Sequence, residues 1–315
     1  MKILITGGTG FFGKSLLEFL KSSNISNEIS EIYLNSRNPK KILSFFSESS
    51  FPFKLSLIEQ DLTKKFDFDI EIDYVIHAAA ESGSSLGFDN PLEMRNVIVE
   101  GTKNVLDFAK RKKIKRILFI SSGAVYGPQP SNIDAIQEDC LNAPNTLLPE
   151  NAYGCAKRQA ENLFSLYAKH YNINFVIARC FAFVGPYLPL DQHFAIGNFI
   201  NDGLLNRDIT IKGDIRTIRS YLFADDLCDW LFKILLKGDR GEAYNVGSDE
   251  KINIHQLAKL VSQCFNGKSV IKIVGENTSN ANTYVPNVDK IKNELNAKQN
   301  YDLIESINKT IHFHK

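Results

Sequence analysis

Hydrophobic and polar positions over the first 180 residues alternate between two rhythms. Six short apolar runs, KILIT (2–6), EIYLN (31–35), FKLSLI (53–58), DYVIHA (73–78), KRILFIS (115–121) and NFVIAR (174–179), are brief and nearly continuous, as in strands buried on both faces. Longer stretches near 11–22, 90–111 and 151–171 carry a helical period. Strand and helix in alternation predict an α/β protein with a Rossmann-type, doubly wound parallel sheet. After residue 180 the rhythm changes. CFAFVGPYLPLDQHF is loop-like, with two prolines. A helix near 194–206, a strand near 209–212 and helices near 225–237, 253–265 and 287–295 follow. The pattern predicts a first unit over 1–180 and a smaller lobe over 181–315, some of whose segments return to the first.

Hydrophobic residues make up 43% of the 315 positions, enough for a sizeable core. The 37 basic and 36 acidic residues leave a net charge of +1. No global field draws the chain to nucleic acid or to an anionic membrane, so an anionic ligand must be met by local groups. The five cysteines form no CxxC pair, which fits neither a disulfide framework nor zinc, and no metal is expected. No apolar run reaches the roughly 18 residues of a membrane span, and the start lacks a basic leader. A cytoplasmic protein is the expectation.

TGGTGFFG follows the first strand and opens the first helix, with Gly7, Gly10 and Gly13 at three-residue intervals. Such a turn lets the backbone of Gly7, Gly10, Phe11, Phe12 and Gly13 approach a pyrophosphate at a helix N-terminus. The second strand ends LNSRNPKK, with Asn35, Ser36 and Arg37 where a carboxylate would meet a free ribose 2′-hydroxyl. A guanidinium suits a 2′-phosphate, so NADP(H) is favoured and NAD(H) is the alternative. Asp61, with Leu62 beside it, follows the third strand and reads either as an adenine contact or as a turn cap. YGCAK sets Tyr153 and Lys157 one helical turn apart on one face. An ammonium beside a phenol of ordinary pKa about 10 favours the phenolate, which makes the pair an acid/base.

TGGTGFFG, HAAA, SSGAVYG, YGCAK, RSYLFADDL and YNVGS stand in an order that resembles the extended short-chain dehydrogenase/reductases, over nearly the whole chain. The closest likeness is to the nucleotide-sugar epimerase, dehydratase and reductase branch. That resemblance implies catalytic roles for Ser122, Tyr153 and Lys157. Ser122 would hydrogen-bond the reacting oxygen, Tyr153 transfer its proton, and Lys157 hold the nicotinamide ribose. Ala78, Ala79 and Ala80 would leave room for the cofactor. The family's 4,6-dehydratases place an Asp-Glu pair after the catalytic hydroxyl, whereas this chain has Gly123 and Ala124. The expectation is therefore hydride transfer at one carbon, foremost reduction at C4 of a nucleotide-linked 4-keto-6-deoxyhexose. The alternative is a 4-epimerase that retains its cofactor.

The same resemblance gives Arg219 to the sugar's diphosphate, with an ion pair to Asp225 or Asp226 as the competing reading. One of those two aspartates is expected to cap the helix that follows. Glu81, Ser82, Ser84, Gly123, Ala124 and Asn198 are the remaining candidates for the sugar. Glu81 is also a possible substitute carboxylate. Two positions depart from the family pattern: Ala182 and Ile98 each stand where asparagine is common. The segment from Gly127 to Ala152 reads as a lid or a surface excursion. His312 and His314 read as exposed tail residues. A homodimer through the helices at 90–111 and 151–171 is implied by the resemblance alone.

Overall fold

The computed structural model describes every residue except 67, 80–89, 193, 268 and 277–281. Six strands appear within a residue or two of the apolar runs: β1 (Lys2–Thr6), β2 (Glu31–Ser36), β3 (Lys54–Glu59), β4 (Tyr74–His77), β5 (Arg116–Ser122) and β6 (Phe175–Cys180). Three long helices connect them: α1 (Phe11–Leu20), α2 (Pro91–Lys112) and α3 (Ala152–Tyr171). Asn90 caps α2 by accepting from the Glu93 amide at 3.1 Å, with Pro91 in the first turn.

The C-terminal half contributes β7 (Phe183–Val184), α4 (Ala195–Leu204), β8 (Ile209–Ile211), β9 (Ile218–Arg219), β10 (Leu222–Phe223) and α5 (Ala224–Lys237). It continues with β11 (Ala243–Val246), β12 (Ile252–Asn253), α6 (Ile254–Cys264), β13 (Ile271–Ile273), β14 (Thr283–Tyr284), α7 (Asp289–Leu295) and α8 (Leu303–His314). Eight of these, β7, β9 to β14 and α8, are not marked by the sequence pattern, and none of those strands exceeds four residues. The four residues of β11 include a buried asparagine and are too short to show a period. The polar stretches between Leu303, Ile307 and Ile311 obscure α8. His312 and His314 are exposed near its end.

The main sheet is parallel throughout, in the order β11-β6-β5-β4-β1-β2-β3. Alternation along a strand separates two cores. Ile3 and Ile5 face Leu16, Leu17, Trp230 and Leu231 of α1 and α5, while Leu4 faces the cluster holding Val105, Phe108 and Phe164 of α2 and α3. A third core, with Ile196, Phe199, Leu257, Val261 and Ile307, fills the C-terminal lobe. Strand order reverses between β1 and β4, and ligands of such sheets bind beyond the strand ends at that crevice. Thr6, His77 and Ser122 all lie at those ends.

Candidate active site

The crevice begins at the glycine turn. Gly7 has a φ of +70°, and a Cβ there would stand 2.8 Å from the Ala79 Cα. Glycine is thus required for the turn to lie against the end of β4. Gly13 is equally constrained, since its Cβ would meet the Gly8 carbonyl oxygen at 2.2 Å. Gly10 precedes α1 with no side-chain cap, so the amides of the first turn are left to a ligand. The Phe11 and Phe12 rings pack on Phe183 at 6.2 and 5.9 Å between centroids, so these two residues can serve a cofactor through their amides.

A cavity of about 250 Å³ continues from this turn. It gathers Gly7, Asn35, Ser36, Arg37, Asp61, Leu62 and Ala79, which sequence reasoning had singled out from four separate segments. Lys41 and the start of α2, Glu93 to Val97, complete the wall. Asn35 is 0% exposed and donates to the Ile58 and Gln60 carbonyls at 3.2 and 3.1 Å. Among the described residues its Oδ1 has no partner, an orphan acceptor that a ribose hydroxyl would satisfy. The Asp61 carboxylate accepts from the Thr63 amide and hydroxyl, both at 2.8 Å, which lowers its pKa. It therefore caps a turn while lining the cavity. These residues fit the adenosine half of a nicotinamide dinucleotide. Ala78 lies beside Gly7, whereas Ala80 falls outside the described residues.

The candidate catalytic group sits at the end of β5. Ser122 is 9% exposed and accepts from the Ala124 amide at 3.1 Å. The start of α3 closes on this turn because residue 154 is glycine: a Cβ there would meet the Ala124 carbonyl at 2.5 Å. Tyr153 is thereby carried to the same place, and Lys157 follows one turn on. Lys157 is 2% exposed and donates to the Ile120 carbonyl at 2.7 Å. Its Nζ lies 4.8 Å from the Phe119 ring centroid and 5.8 Å from that of Tyr153. Burial pulls its pKa down to about 8. His77 is buried between the hydroxyls of Thr6 (2.7 Å) and Thr102 (3.1 Å), and burial, with the Lys157 charge, holds it neutral with a pKa of about 3.

Gly123 is constrained by side chains rather than by its backbone. A Cβ there would lie 2.5 Å from the Tyr284 hydroxyl and 2.8 Å from the Phe181 ring. The room in which a carboxylate at position 123 would stand is taken by two aromatic residues. Sequence reasoning missed both. Tyr284 arrives on β14, which pairs with β9 so that Tyr284 faces Arg219. The Arg219 guanidinium lies over the Tyr284 ring, 5.8 Å from its centroid, and donates to the Ile218 and Asn282 carbonyls.

Neither Asp225 nor Asp226 pairs with Arg219 or caps α5. Asp226 accepts instead from the Asn300 amide, the Asn300 side chain and the Tyr301 amide. These bonds tie α5 to the segment before α8, a long-range role that local spacing does not reveal. Among the described residues no carboxylate neutralises Arg219, and burial lowers its pKa. Ala124 is half-buried beside Ser122, and Asn198 is half-buried on α4. Glu81, Ser82 and Ser84 lie outside the described residues, as does His193. The segment 127–152 is anchored along its first half. Ile136 exchanges backbone hydrogen bonds with Val285 and Asn287 at 2.9 and 2.8 Å, and Glu138 accepts from the Asn245 amide at 2.8 Å.

Residues 3–247 match the sequence profile of the NAD dependent epimerase/dehydratase family. The chain belongs to this family. Its members similar to this chain include the dTDP-D-glucose 4,6-dehydratase of Dictyostelium discoideum, 30% identical over 82% of this chain and 61% of that protein. The chain therefore spans less than two thirds of that relative. The UDP-glucuronic acid decarboxylase 5 of Arabidopsis thaliana is 28% identical over 98% of this chain and 87% of its own length. Among solved structures, the UDP-glucose 4-epimerase of Thermotoga maritima superimposes with a TM-score of 0.83 at 20% identity, covering 100% of this chain and 98% of that one. DesIV, a dTDP-glucose 4,6-dehydratase of Streptomyces venezuelae, gives 0.83 at 22% identity over 100% and 97%. The chain is thus an NAD(P)-dependent enzyme of the extended short-chain dehydrogenase/reductase type, with the family's Rossmann fold. Among the described residues, no helix is long and apolar enough to cross a membrane.

Proposed function

We propose that this enzyme reduces the C4 carbonyl of a nucleotide-linked 4-keto-6-deoxyhexose with NADPH. The observation that carries the reading is the crowding beside Ser122, where Tyr284 and Phe181 fill the place of a carboxylate at position 123; Tyr153 and Lys157, on the helix that packs against this turn, supply the phenol and the ammonium. Elimination of water across C5 and C6 needs an acid and a base beyond one tyrosine. Reduction at one carbon needs neither.

Gly7, Gly10, Gly13 and the amides of α1 would hold the dinucleotide's pyrophosphate, and Asn35 a ribose hydroxyl. The bound cofactor supplies a hydride. Ser122 steadies the sugar oxygen, and Tyr153 gives up its proton as that oxygen becomes a hydroxyl. The Lys157 ammonium eases that loss by stabilising the phenolate. Arg219, a half-buried cation without a carboxylate partner among the described residues, meets the diphosphate of the nucleotide. Arg37 and Lys41 at the adenosine end support the 2′-phosphate of NADPH over NADH. Residues 1–180 carry the cofactor and 181–315 mainly the sugar nucleotide, with α5, β11 and α7 returning to the sheet side. The charge balance supports a freely diffusing cytoplasmic enzyme. The α2–α3 face is the place for a homodimer contact.

The alternative is a 4-epimerase, which uses the same residues. Titrating purified protein with NADPH and NADH by fluorescence, and then adding CDP-, dTDP- and GDP-linked 4-keto sugars, separates the two. Cofactor-free protein that binds NADPH at least 10-fold more tightly and consumes it on a keto sugar is expected. Stoichiometric, non-exchanging NAD in the purified protein would overturn the reading in favour of the epimerase.

A further inference from the structure

We propose that the outer edge of β13 is a contact between two copies of this chain, which pair their β13 strands antiparallel about a two-fold axis at Lys272. β8 and β13 form a two-stranded parallel sheet, with Ile271, Lys272 and Ile273 in register with Ile209, Thr210 and Ile211. The Ile209 amide donates to the Val270 carbonyl at 2.9 Å, and the Val274 amide donates to the Ile211 carbonyl at 3.0 Å. In a parallel ladder alternate residues face the neighbouring strand, so Val270, Lys272 and Val274 turn their backbone groups to β8. The N–H and C=O groups of Ile271 and Ile273 point the other way. Among the described residues, no strand pairs with them. Side chains along this edge are apolar and exposed, Val270 at 61%, Ile273 at 49% and Val274 at 64%. An open edge of this kind is a template for another strand.

The occupant is read from the strand's own sequence. Val270 to Val274 is VIKIV, the same in both directions. Antiparallel pairing centred on Lys272 sets Val270 opposite Val274 of the partner subunit and Ile271 opposite Ile273 of the partner subunit. The isoleucines are the residues whose backbone groups face outward, so each isoleucine pair exchanges both of its N–H···O bonds across the axis. The register that matches apolar side chains is therefore also the register that matches free donors to free acceptors. A lysine on an edge strand ordinarily deters pairing. Here the Lys272 ammonium reaches back to the Asp208 carboxylate at 2.6 Å, on the β8 side of the strand. Two copies thus meet at the axis through the lysine stems and not through their charges. Ile271 packs on the core of the C-terminal lobe, which holds the edge in place.

This edge involves neither the active-site residues nor α2 and α3, so its test is independent of both readings. In the paired strands Lys272 meets its own copy at a non-hydrogen-bonded position, with Cα atoms about 4.5 Å apart and within disulfide reach. Lys272→Cys in the full chain, under mild oxidation, is expected to give at least about fivefold more covalent dimer than the wild type, whose native cysteines set the background. Val270→Cys alone is expected to stay at background, because its two copies would lie about 14 Å apart. An equal mixture of Val270→Cys and Val274→Cys is expected to cross-link. Ile273→Pro removes an outward amide and none of the bonds between β8 and β13. Added to Lys272→Cys, it is expected to return the yield to background, with turnover within about twofold of the wild type. Val274→Asp, which puts a charge on an exposed side chain of the same edge, is expected to do the same without a proline. Background yield from Lys272→Cys, an equal yield from Val270→Cys alone, or a cross-link that survives both Ile273→Pro and Val274→Asp would overturn the proposal.

Discussion

Lys157 carries an ammonium into the interface between β5 and α3, with one carbonyl and two aromatic rings for company. Burial lowers its pKa from 10.5 to about 8. Because the folded-state value lies below the unfolded one, the unfolded chain binds more protons between those two limits, and stability rises with pH across that window. Below about pH 8 the full penalty of the buried charge is present, up to about 3 kcal/mol from the shift. In the cofactor-free protein, Lys157→Met removes the penalty and leaves the Ile120 carbonyl unpaired, which costs about 1 kcal/mol in return. The variant is expected to melt above the wild type at pH 7, with the gap shrinking toward pH 10, while losing at least about 100-fold in activity. Differential scanning calorimetry at the two pH values checks this. A gap that does not depend on pH would show that the lysine is not held in the way described.

At the scale of elements, α3 does two things at once. Its first turn, with Gly154, packs on the Ser122 turn and carries Tyr153 there, and Lys157 follows one turn on. Its middle carries Glu161, which accepts from Ser121 at 2.6 Å and pairs with Arg179 of β6 at 2.8 Å. Arg179 passes the connection on to the Tyr126 hydroxyl and to the Glu138 carbonyl of the 127–152 segment. Helix α3, the sheet and the 127–152 segment thus share one polar network. Glu161→Gln leaves the guanidinium without its counter-charge and is expected to lower stability by about 2–4 kcal/mol, read from urea unfolding. The parts of this design that could be read from the sequence are those that are locally periodic. β1, β2, β4, β5 and β6 are mostly buried and appear as nearly continuous apolar runs, edge strand β3 less so, and the Gly7–Gly13 turn is a spacing requirement of the backbone itself. The rest depends on contacts between distant segments. Tyr284 and Phe181 look like ordinary core aromatics until β14 pairs with β9. Asp226 looks like a helix cap until Asn300 and Tyr301 arrive to claim it. β11 has too few residues to show a rhythm and is recruited by the edge of β6.

Across the whole molecule, almost balanced charge leaves recognition to local cations. Arg37 and Lys41 line the cavity at the end of β2, and Arg219 lies beside Tyr284 next to the Ser122 turn. The fold is shared by epimerases, dehydratases and decarboxylases, so architecture does not choose among them. The choice rests on the crowding around Gly123, which favours chemistry confined to one carbon. That claim is tested most directly by incubating the enzyme with NADPH deuterated at the transferable position of the nicotinamide C4 and a nucleotide-linked 4-keto-6-deoxyhexose, followed by NMR of the product. The account predicts one deuterium at sugar C4 for each NADPH consumed, with C5 and C6 unlabelled. Inversion at C4 without cofactor consumption, or solvent hydrogen incorporated at C5, would contradict it.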